Sequence, residues 1–437
     1  MPGGRPVLNS RRWHRLIPIA FITYSFAYLD RSNYSIGAAG GLTSSLHLTS
    51  TQAGFLGGLF FIGYFLFQVP AGSFAERRSV KTMLFWSLSA WGVFASLQGV
   101  ITSYWLLLAD RFLLGVVEAV VLPAMLVFLS HWFTRRERGR ANTFLILGNP
   151  VTLIWMSVVS GYLIAAVGYR WMFVIEGLPA IGWAFLFRHL VDDRPGDAAW
   201  LTDSERRDIE NALATEQGEL PEPRGFRDVA RSRNALVLSA QYMLWSVGVY
   251  GLVFWLPSIV KHLTGQGIGS TGALTAIPYA AAVIAMIATS AASDHLARRR
   301  VFTWIPLLIS AICFAVSYLT RGGTFTTAFI LLIVAAAGMY APYGPYFAYI
   351  TEVFPASDAA PAVGMINAFG ALGGFVGTYI VGALGGGTSA VPFTFLAACL
   401  LVAALLMFAV RRPGQAGQAA RPAAVRDDDD AAAARAA

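Results

Sequence analysis

The chain has 437 residues, of which 56% are hydrophobic and 13% are charged, and its mean hydropathy is +0.58. A soluble protein of this composition would expose large apolar patches, whereas a lipid bilayer removes that cost. The composition therefore excludes an ordinary soluble enzyme. The formal net charge of +8 indicates a partner only once the positions of the basic residues along the chain are known.

Twelve apolar stretches are each long enough to span a hydrocarbon core of about 30 Å. We therefore predict an all-α membrane protein with twelve transmembrane helices. In chain order the predicted helices cover residues 16–37, 53–75, 81–101, 104–130, 141–166, 171–190, 235–260, 271–293, 301–320, 325–350, 362–384 and 391–410.

The basic residues are concentrated in alternate connections between these stretches. One set of connections and ends holds 27 of the 32 Lys and Arg residues, and the other set holds three. Because basic residues are retained on the cytoplasmic side during insertion, we predict that both termini are cytoplasmic and that the protein lies in the inner (plasma) membrane. The positive charge thus reflects topology, and we expect no nucleic-acid partner.

A single long polar connection divides the apolar stretches six and six. The predicted organisation is an N-terminal six-helix bundle (1–190), a cytoplasmic linker (191–234), a C-terminal six-helix bundle (235–412) and a disordered cytoplasmic tail (413–437). Within the linker, Thr202 and Glu205 have the spacing of a capping box, which predicts a short helix over 205–214.

Residues for enzyme chemistry or metal binding are not grouped in the sequence. The six histidines lie at or near segment ends, and Cys313 and Cys399 lie far apart in apolar runs. Neither residue type has the spacing of metal ligands or of a nucleophile with its base. We predict no metal site, no cofactor and no enzyme activity.

The first apolar stretch contains adjacent charges, which are costly in a membrane and are therefore expected to be functional. Asp30 and Arg31 lie about 21 Å from its cytoplasmic end, at 1.5 Å per residue. Arg31 keeps its charge and offers a fork of donors that fits a carboxylate, so we predict that it anchors an anionic substrate. Tyr24 and Tyr28 share its helix face. A structural ion pair at Arg31 is the alternative.

Four segments in order along the chain resemble one family of membrane carriers. They are YLDRSN at 28–33, RFLLGVVEA at 111–119, WMFVIEG at 171–177 and YGLVFWLP at 250–257. Together they resemble the anion:cation symporter family of the major facilitator superfamily, and within it the bacterial sugar-acid, tartrate and rhamnonate-type carriers. The resemblance covers residues 10–412 and implies two six-helix bundles, the major facilitator fold.

Asp30 and Glu118 are the predicted proton-coupling residues. Burial in a low-dielectric cavity disfavours the charged form of a carboxyl group, so such a group can exchange protons during a transport cycle. The resemblance implies the same, because both residues match acidic positions in the first and fourth helices of the family. A simple ion pair with a neighbouring helix is the alternative for Glu118.

Further substrate contacts are predicted at Tyr64, Asn149, Asn367 and Tyr346. The first three match, or replace, polar positions of the family that the resemblance places beside the substrate. Tyr346 belongs to a run of tyrosines at every third position, interrupted by prolines, where we expect a broken or bent helix. Helix packing is the alternative for that run.

Two other charged sites are left out of the predicted substrate and proton-coupling residues. Asp110 and Arg111 lie in the outer part of the fourth stretch, where Arg111 either relays protons or forms a stabilising ion pair. Glu176, in the sixth stretch, is predicted to support the fold.

The predicted function is proton-coupled uptake of an organic anion, a sugar acid or small hydroxycarboxylate such as tartrate, galactonate or rhamnonate, by alternating access. The expected partners are the anion, protons and the lipid bilayer, and the expected state is a monomer. Carriage of aromatic carboxylates is the alternative within transport, and a transporter-derived membrane sensor is the alternative outside it.

Overall fold

The computed structural model of the chain describes residues 10–218, 229–320 and 324–411, and within them every regular element is a helix. The predicted disordered tail at 413–437 lies outside the described residues, as does part of the linker. Residues 10–190 are called the first half below, and residues 233–411 the second half.

The helices of the first half follow one another with short connections. Thr49 and Gln52 form a capping box at the start of the second helix. A short π-helical turn, Ala38–Leu42, follows the first helix. The helices are α1 (Ser10–Gly37), α2 (Ser50–Arg77), α3 (Val80–Leu97), α4 (Tyr104–Glu118), α5 (Val121–Trp132) and α6 (Arg135–Leu190).

The linker contributes one described helix, α7 (Asp203–Gly218), which begins earlier and ends later than predicted. The capping box is confirmed, because the Thr202 backbone N–H donates to Glu205 and the Glu205 backbone N–H donates to the Thr202 hydroxyl. Hydrogen bonds from the Thr202 backbone and hydroxyl lower the pKa of the Glu205 carboxyl. The second half forms α8 (Arg233–Thr264), α9 (Ile268–Leu296), α10 (Val301–Leu319), α11 (Phe325–Tyr340), α12 (Tyr343–Val353), α13 (Ala356–Ala383) and α14 (Val391–Leu406).

By length and composition, nine helices of the described part of the chain are able to cross a membrane. One of them, Glu137–Leu190, has 54 residues, enough for two crossings of about 20 residues each. It turns at Gly168, whose φ of 83° and ψ of 162° interrupt the helix. The less apolar α1 and the shorter α14 supply the remaining crossings, which gives the twelve transmembrane segments of the predicted fold.

The fourth membrane segment of each half is broken at its middle. In the first half α4 ends at Glu118 and α5 begins at Val121, although the sequence predicted a continuous helix there. In the second half the predicted break is confirmed, because α11 ends at Tyr340 and α12 begins at Tyr343. The matching breaks are consistent with a duplicated six-helix unit.

Glycines allow the two halves to pack closely toward one side of the membrane, the side on which α1 ends and α2 begins; we call this the closed side. A methyl group added at Gly54 would lie 2.6 Å from the carbonyl oxygen of Thr378. A methyl group at Gly272 would lie 2.2 Å from the carbonyl oxygen of Ser157. A methyl group at either position would overlap the facing backbone, so the helices approach this closely only because these residues are glycines. Such close approach at small residues is usual between membrane helices.

The start of the linker is bound to the opposite membrane side of the first half. The carboxylate of Asp193 accepts hydrogen bonds from the Ser79 hydroxyl and from the Lys81 backbone N–H. The indole rings of Trp132 and Trp200 stack at 5.5 Å. These contacts attach the start of the linker to the first half, away from the boundary between the two halves.

Candidate functional site

Arg31 lies in the last third of α1 and forms a buried ion pair with Glu118, the last residue of α4. The Arg31 Nε donates to Glu118 Oε1 at 3.0 Å, and the Arg31 Nη2 donates to the same oxygen. The side chains are 8% and 1% exposed. Removing one partner of such a pair leaves an uncompensated buried charge, at a cost of about 3–5 kcal/mol.

Aromatic rings enclose the Arg31 guanidinium. Its central carbon lies 4.7 Å from the ring centre of Tyr64, 5.3 Å from that of Phe60 and 5.4 Å from that of Tyr28. The hydroxyl of Tyr250, from α8 in the second half, lies 3.4 Å from the Arg31 Nη1. Cation–π contacts of this kind hold a guanidinium in place while leaving donors for an anion. Arg31 therefore faces the boundary between the halves.

Asp30 faces a different neighbour, because adjacent residues of a helix point about 100° apart. The Asn33 Nδ2 donates to Asp30 Oδ1 at 3.1 Å and to Glu176 Oε2 at 3.1 Å. The Ser160 hydroxyl donates to Glu176 Oε1. We call Asp30, Asn33, Ser160 and Glu176 the Asp30 cluster. The predicted proton-coupling residues Asp30 and Glu118 thus belong to two separate groups on two faces of α1.

Gly168 brings the two α6 members of the Asp30 cluster together. Ser160 precedes it by eight residues and Glu176 follows it by eight. The turn at Gly168 reverses the chain, so that the two residues lie at similar depths on neighbouring segments. The residue at the turn has a left-handed φ of 83°, which favours glycine.

A second guanidinium, Arg111 of α4, lies near Arg31. It is 4.6 Å from the ring centre of Tyr34 and 5.3 Å from that of Phe60, and its Nη2 lies 3.5 Å from the carbonyl oxygen of Gly57. No ion pair between Arg111 and Asp110 occurs among the described contacts, so the stabilising pair considered from the sequence is not formed there. A small cavity touches both guanidinium groups and is closed from the second half by Tyr250 and Phe254.

The other predicted substrate residues lie at varying distances from this centre. Tyr28 and Tyr64 contact Arg31, and Asn149 lies half-buried beside Tyr24 on the same side of the first half. Asn367 is half-buried in α13, and no described contact links it to Arg31.

Tyr346 is not brought to Arg31 either. Its hydroxyl donates to the carbonyl oxygen of Leu238 at 2.8 Å, and its ring stacks on Tyr242 at 5.5 Å. It is fully buried, and its described contacts all lie within the second half. This geometry agrees with helix packing, the alternative that the sequence left open, and a substrate role for Tyr346 stays a prediction.

Three contributors to the site were not assigned a functional role from the sequence: Tyr250, Phe60 and Glu176. Tyr250 stood in a family-like segment, but its contact with Arg31 crosses from one half to the other, and no spacing along the chain indicates that. Phe60 is an ordinary apolar residue of α2. Glu176 did carry a signal, since a carboxylate within an apolar stretch requires a partner.

The family of the chain follows from a comparison over nearly its full length. A family model described as Major Facilitator Superfamily matches residues 20–378 and 264–431. The chain belongs to the major facilitator superfamily. The superfamily predicted from the sequence motifs is thereby confirmed.

Relatives and solved structures agree with this assignment. A protein of Agrobacterium vitis that carries the name of a tartrate transporter is 30% identical over 415 residues, which cover 91% of this chain and 90% of that protein. The inner membrane transport protein RhmT of Escherichia coli (strain K12) is 32% identical over 370 residues, which cover 83% of this chain and 85% of that protein. The crystal structure of a bacterial homologue of the human lysosomal transporter Spinster, in an inward-facing and occupied conformation, matches with a TM-score of 0.75 at 16% identity over 92% of this chain and 97% of that one. These findings support a transporter of the anion:cation symporter type.

The functional class follows directly from membership in the superfamily. The chain is a multi-pass membrane transporter and not an enzyme.

Proposed function

We propose that the protein imports an organic anion together with protons, and that the anion is a sugar acid or small hydroxycarboxylate such as tartrate, galactonate or rhamnonate. The single observation that carries this proposal is the position of Arg31, a permanent cation at the boundary of the two halves with Glu118 on its donors. The tartrate transporter name of the Agrobacterium vitis relative supports the substrate class.

The Arg31–Glu118 pair gives a physical link between anion binding and proton binding. A substrate carboxylate needs the same guanidinium donors that Glu118 now occupies. Protonation removes the charge of Glu118 and weakens its hold on Arg31, so that the substrate carboxylate replaces it. Release of the substrate then lets Glu118 return to Arg31 and lose its proton.

A carried proton also offsets the charge of the substrate. Moving one negative charge inward against a potential that is negative inside costs about 2.3 kcal/mol per 100 mV. One proton carried with each negative charge makes the step electrically neutral. This is the reason that an importer of anions requires titratable groups in its site.

Alternating access requires the contacts at the closed side to separate. Lys261 donates to the carbonyl oxygen of Ala39 at 2.7 Å, and the rings of Tyr34 and Phe254 stack at 5.4 Å. Each contact joins one half to the other. In the proposed cycle they close after the anion has entered and open again when the site is empty.

The orientation in the membrane is part of the proposal. The basic connections predict that both termini face the cytoplasm. The inner membrane is the proposed location, in keeping with the transporter family of the chain. The closed side is then the outer side, and substrate entering from outside reaches Arg31 only when the Lys261 and Phe254 contacts separate.

Uptake into proteoliposomes under an imposed pH gradient tests the proposed function. Radiolabelled tartrate, galactonate and rhamnonate are presented outside vesicles whose interior is alkaline. We expect accumulation of at least one of the three, and its loss when an ionophore abolishes the gradient. Absence of accumulation for every acid would contradict the proposal and would favour a membrane sensor derived from a transporter.

Aromatic carboxylates are a second candidate substrate class, favoured by the rings around Arg31. Tyr28, Tyr64 and Tyr250 offer faces on which a flat acid would stack. Competition decides between the classes: unlabelled benzoate-type acids displace labelled substrate better than sugar acids do only if the aromatic class is correct.

A further inference from the structure

The Asp30 cluster contains two carboxyl groups without a neighbouring cation in ion-pair contact. Both are held within 3.1 Å of one nitrogen, the Asn33 Nδ2. Among the ion pairs of the described residues, none includes Asp30 or Glu176. The cluster is therefore held together by neutral hydrogen-bond donors alone.

Burial makes two full negative charges in this cluster very unfavourable. Asp30 and Asn33 are 0% exposed, and Glu176 is 6% exposed. Like charges that share a buried site cannot both be ionised at ordinary cost, as in carboxyl pairs that hold one proton between them. Two neutral donors, Asn33 and Ser160, do not compensate a second charge.

Unpartnered polar atoms at the cluster provide an independent observation. Among the described residues, Asp30 Oδ2 and Asn33 Oδ1 are buried without a hydrogen-bond partner. The fully buried Trp91 is a further neutral donor beside this site, because its indole N–H interacts with the Asp30 carboxyl group. Asp30 Oδ2 is thus a buried oxygen that no described side chain holds by a hydrogen bond of normal geometry, and this oxygen is the available position for a proton.

The charged groups that face the cluster come from α4. Glu118 acts on Asp30 less strongly than Glu176 does, and Arg111 interacts with Asp30 as an opposite charge. Arg31 is engaged by Glu118, and Arg111 is the cation whose charge is seen to act on Asp30 among the described residues. Its guanidinium lies over the rings of Tyr34 and Phe60 and forms no ion pair with either acid among the described contacts.

We propose that Asp30 and Glu176 form one proton-binding pair, bridged by Asn33 and separate from the Arg31–Glu118 pair. The proton forms an O–H bond at Asp30 Oδ2 and leaves to water when the site opens. The proposal deepens the proposed function, on which it rests, by assigning to Glu176 a part in proton binding that the sequence assigned to the fold. Two separate acid groups then take up protons in one transport cycle.

A pH titration of the purified protein in lipid tests this pair without any substrate. Infrared absorption reports the protonated carboxyl group, and the band is assigned by its loss in Asp30→Asn. In Glu176→Gln the second negative charge is absent, so Asp30 releases its proton more readily, and the midpoint of the titration falls by about one pH unit or more. A midpoint equal to that of the wild type in folded Glu176→Gln would overturn the proposal.

Ser160→Ala gives a second, milder test with the opposite sign. The Ser160 hydroxyl stabilises the charged form of Glu176. Its removal is expected to raise the proton affinity of the pair by about three- to tenfold. The midpoint of the titration therefore moves to higher pH. Ser157→Ala is the matched control, because Ser157 is equally buried in α6 but donates to the Leu153 carbonyl oxygen. A midpoint that falls in Ser160→Ala, or that moves equally in Ser157→Ala, would also overturn the proposal.

The titration separates this proposal from the proposed function. If none of the three labelled substrates accumulates but Glu176→Gln lowers the midpoint of the titration, the Asp30–Glu176 proton pair stands and the proposed transport function fails. If accumulation is driven by the pH gradient but the midpoint does not move, the pair fails and proton coupling belongs to Glu118 or to Asp30 alone.

Discussion

Arg31 combines a fixed charge with a geometry that a lysine does not reproduce. Its Nε and Nη2 both donate to Glu118, and its remaining donors face Tyr250 and the cavity. Arg31→Lys keeps the charge but loses the fork, so we expect the KM for the anion to rise by about ten- to a hundredfold. Initial rates of uptake over a range of anion concentrations measure this.

Arg170→Lys is the control for that substitution, since Arg170 lies at the turn between the two segments of α6 and over the ring of Tyr169. Its KM is expected to stay within twofold of the wild type. Equal KM values for Arg31→Lys and the wild type would remove Arg31 from the binding of the anion.

Two tyrosines of the second half separate binding from packing. Tyr250→Phe removes only the hydroxyl 3.4 Å from Arg31, so we expect the KM to rise about two- to tenfold. This corresponds to a loss of about 0.4–1.4 kcal/mol of binding free energy. The melting temperature is expected to be unchanged. Tyr346→Phe removes the hydrogen bond to the Leu238 carbonyl oxygen, so we expect a lower melting temperature with an unchanged KM. The reverse pattern would support Tyr346 as a substrate residue and exclude Tyr250.

At the residue scale, the sequence predicted which charged residues belong to the site more successfully than it predicted their contacts. Asp30 and Arg31 were conspicuous because charge is costly in an apolar helix. Glu118 and Glu176 were noticeable for the same reason, but their pairing was not predicted. Glu118 contacts Arg31, and Glu176 contacts Asn33 beside Asp30, through contacts between helices that no spacing along α1 encodes. Whether Glu176 takes part in function therefore depends on the Asn33 bridge, which only the folded chain shows.

Proline explains both helix breaks at the element scale. A proline removes the hydrogen bond to the carbonyl four residues earlier and clashes with it. Pro345 acts on Ala341, where α11 gives way to α12, and this break was predicted. Pro123 acts in the same way on Ala119, just after Glu118, so the break between α4 and α5 was predictable from the same rule. It places Glu118 at a helix end beside the cavity.

The turn in α6 depends on Gly168 for conformational reasons only. A methyl group there meets nothing within 4 Å, but φ is 83° and ψ is 162°, a region that is almost exclusive to glycine. Gly168→Ala is expected to lower the free energy of unfolding by about 1–3 kcal/mol, seen as a lower melting temperature.

Gly182→Ala is the matched substitution in the same helix. Its added methyl group also meets nothing within 4 Å, and its φ is not left-handed. A gain of about 0.5–1 kcal/mol is expected there, because alanine favours the helix. A melting temperature that falls as far in Gly182→Ala as in Gly168→Ala would show that strain at the turn is not the cause.

For the molecule as a whole, twelve apolar stretches and one long polar connection were sufficient to predict the fold. Apolar length defines where the chain crosses the membrane, and it does so without any tertiary information. It does not define which helix faces meet. The close contact of Gly54 with Thr378 and of Gly272 with Ser157 depends on backbone approach, and glycine is also common on other faces of these helices.

The close contact at Gly272 is expected to bias the conformation of the whole carrier. Gly272→Ala places a methyl group 2.2 Å from a backbone oxygen, which favours separation of the halves at the closed side. A cysteine at Ser35, which lines the cavity, then reacts at least fivefold faster with an impermeant thiol reagent from that side, corresponding to about 1 kcal/mol. Cys313 and Cys399 are replaced by serine in this experiment.

Gly364→Ala provides the control, because a methyl group at Gly364 meets nothing within 4 Å. Its reaction rate is expected to match that of the unmodified background. Equal rates in Gly272→Ala and Gly364→Ala would mean that the glycine contact does not hold the closed side together.

The central claim is that Glu118 exchanges Arg31 for a proton when the anion binds. Simultaneous recording of anion and proton flux in proteoliposomes, for the wild type and for Glu118→Gln, tests it most directly. We predict that the wild type carries protons inward with the anion. In Glu118→Gln, Arg31 has no counter-charge once the anion leaves, so the empty carrier does not return across the membrane even though the Asp30–Glu176 pair remains. The variant then exchanges external for internal anion but shows no net proton movement and no accumulation of anion under a pH gradient. Accumulation by Glu118→Gln driven by that gradient would contradict the claim.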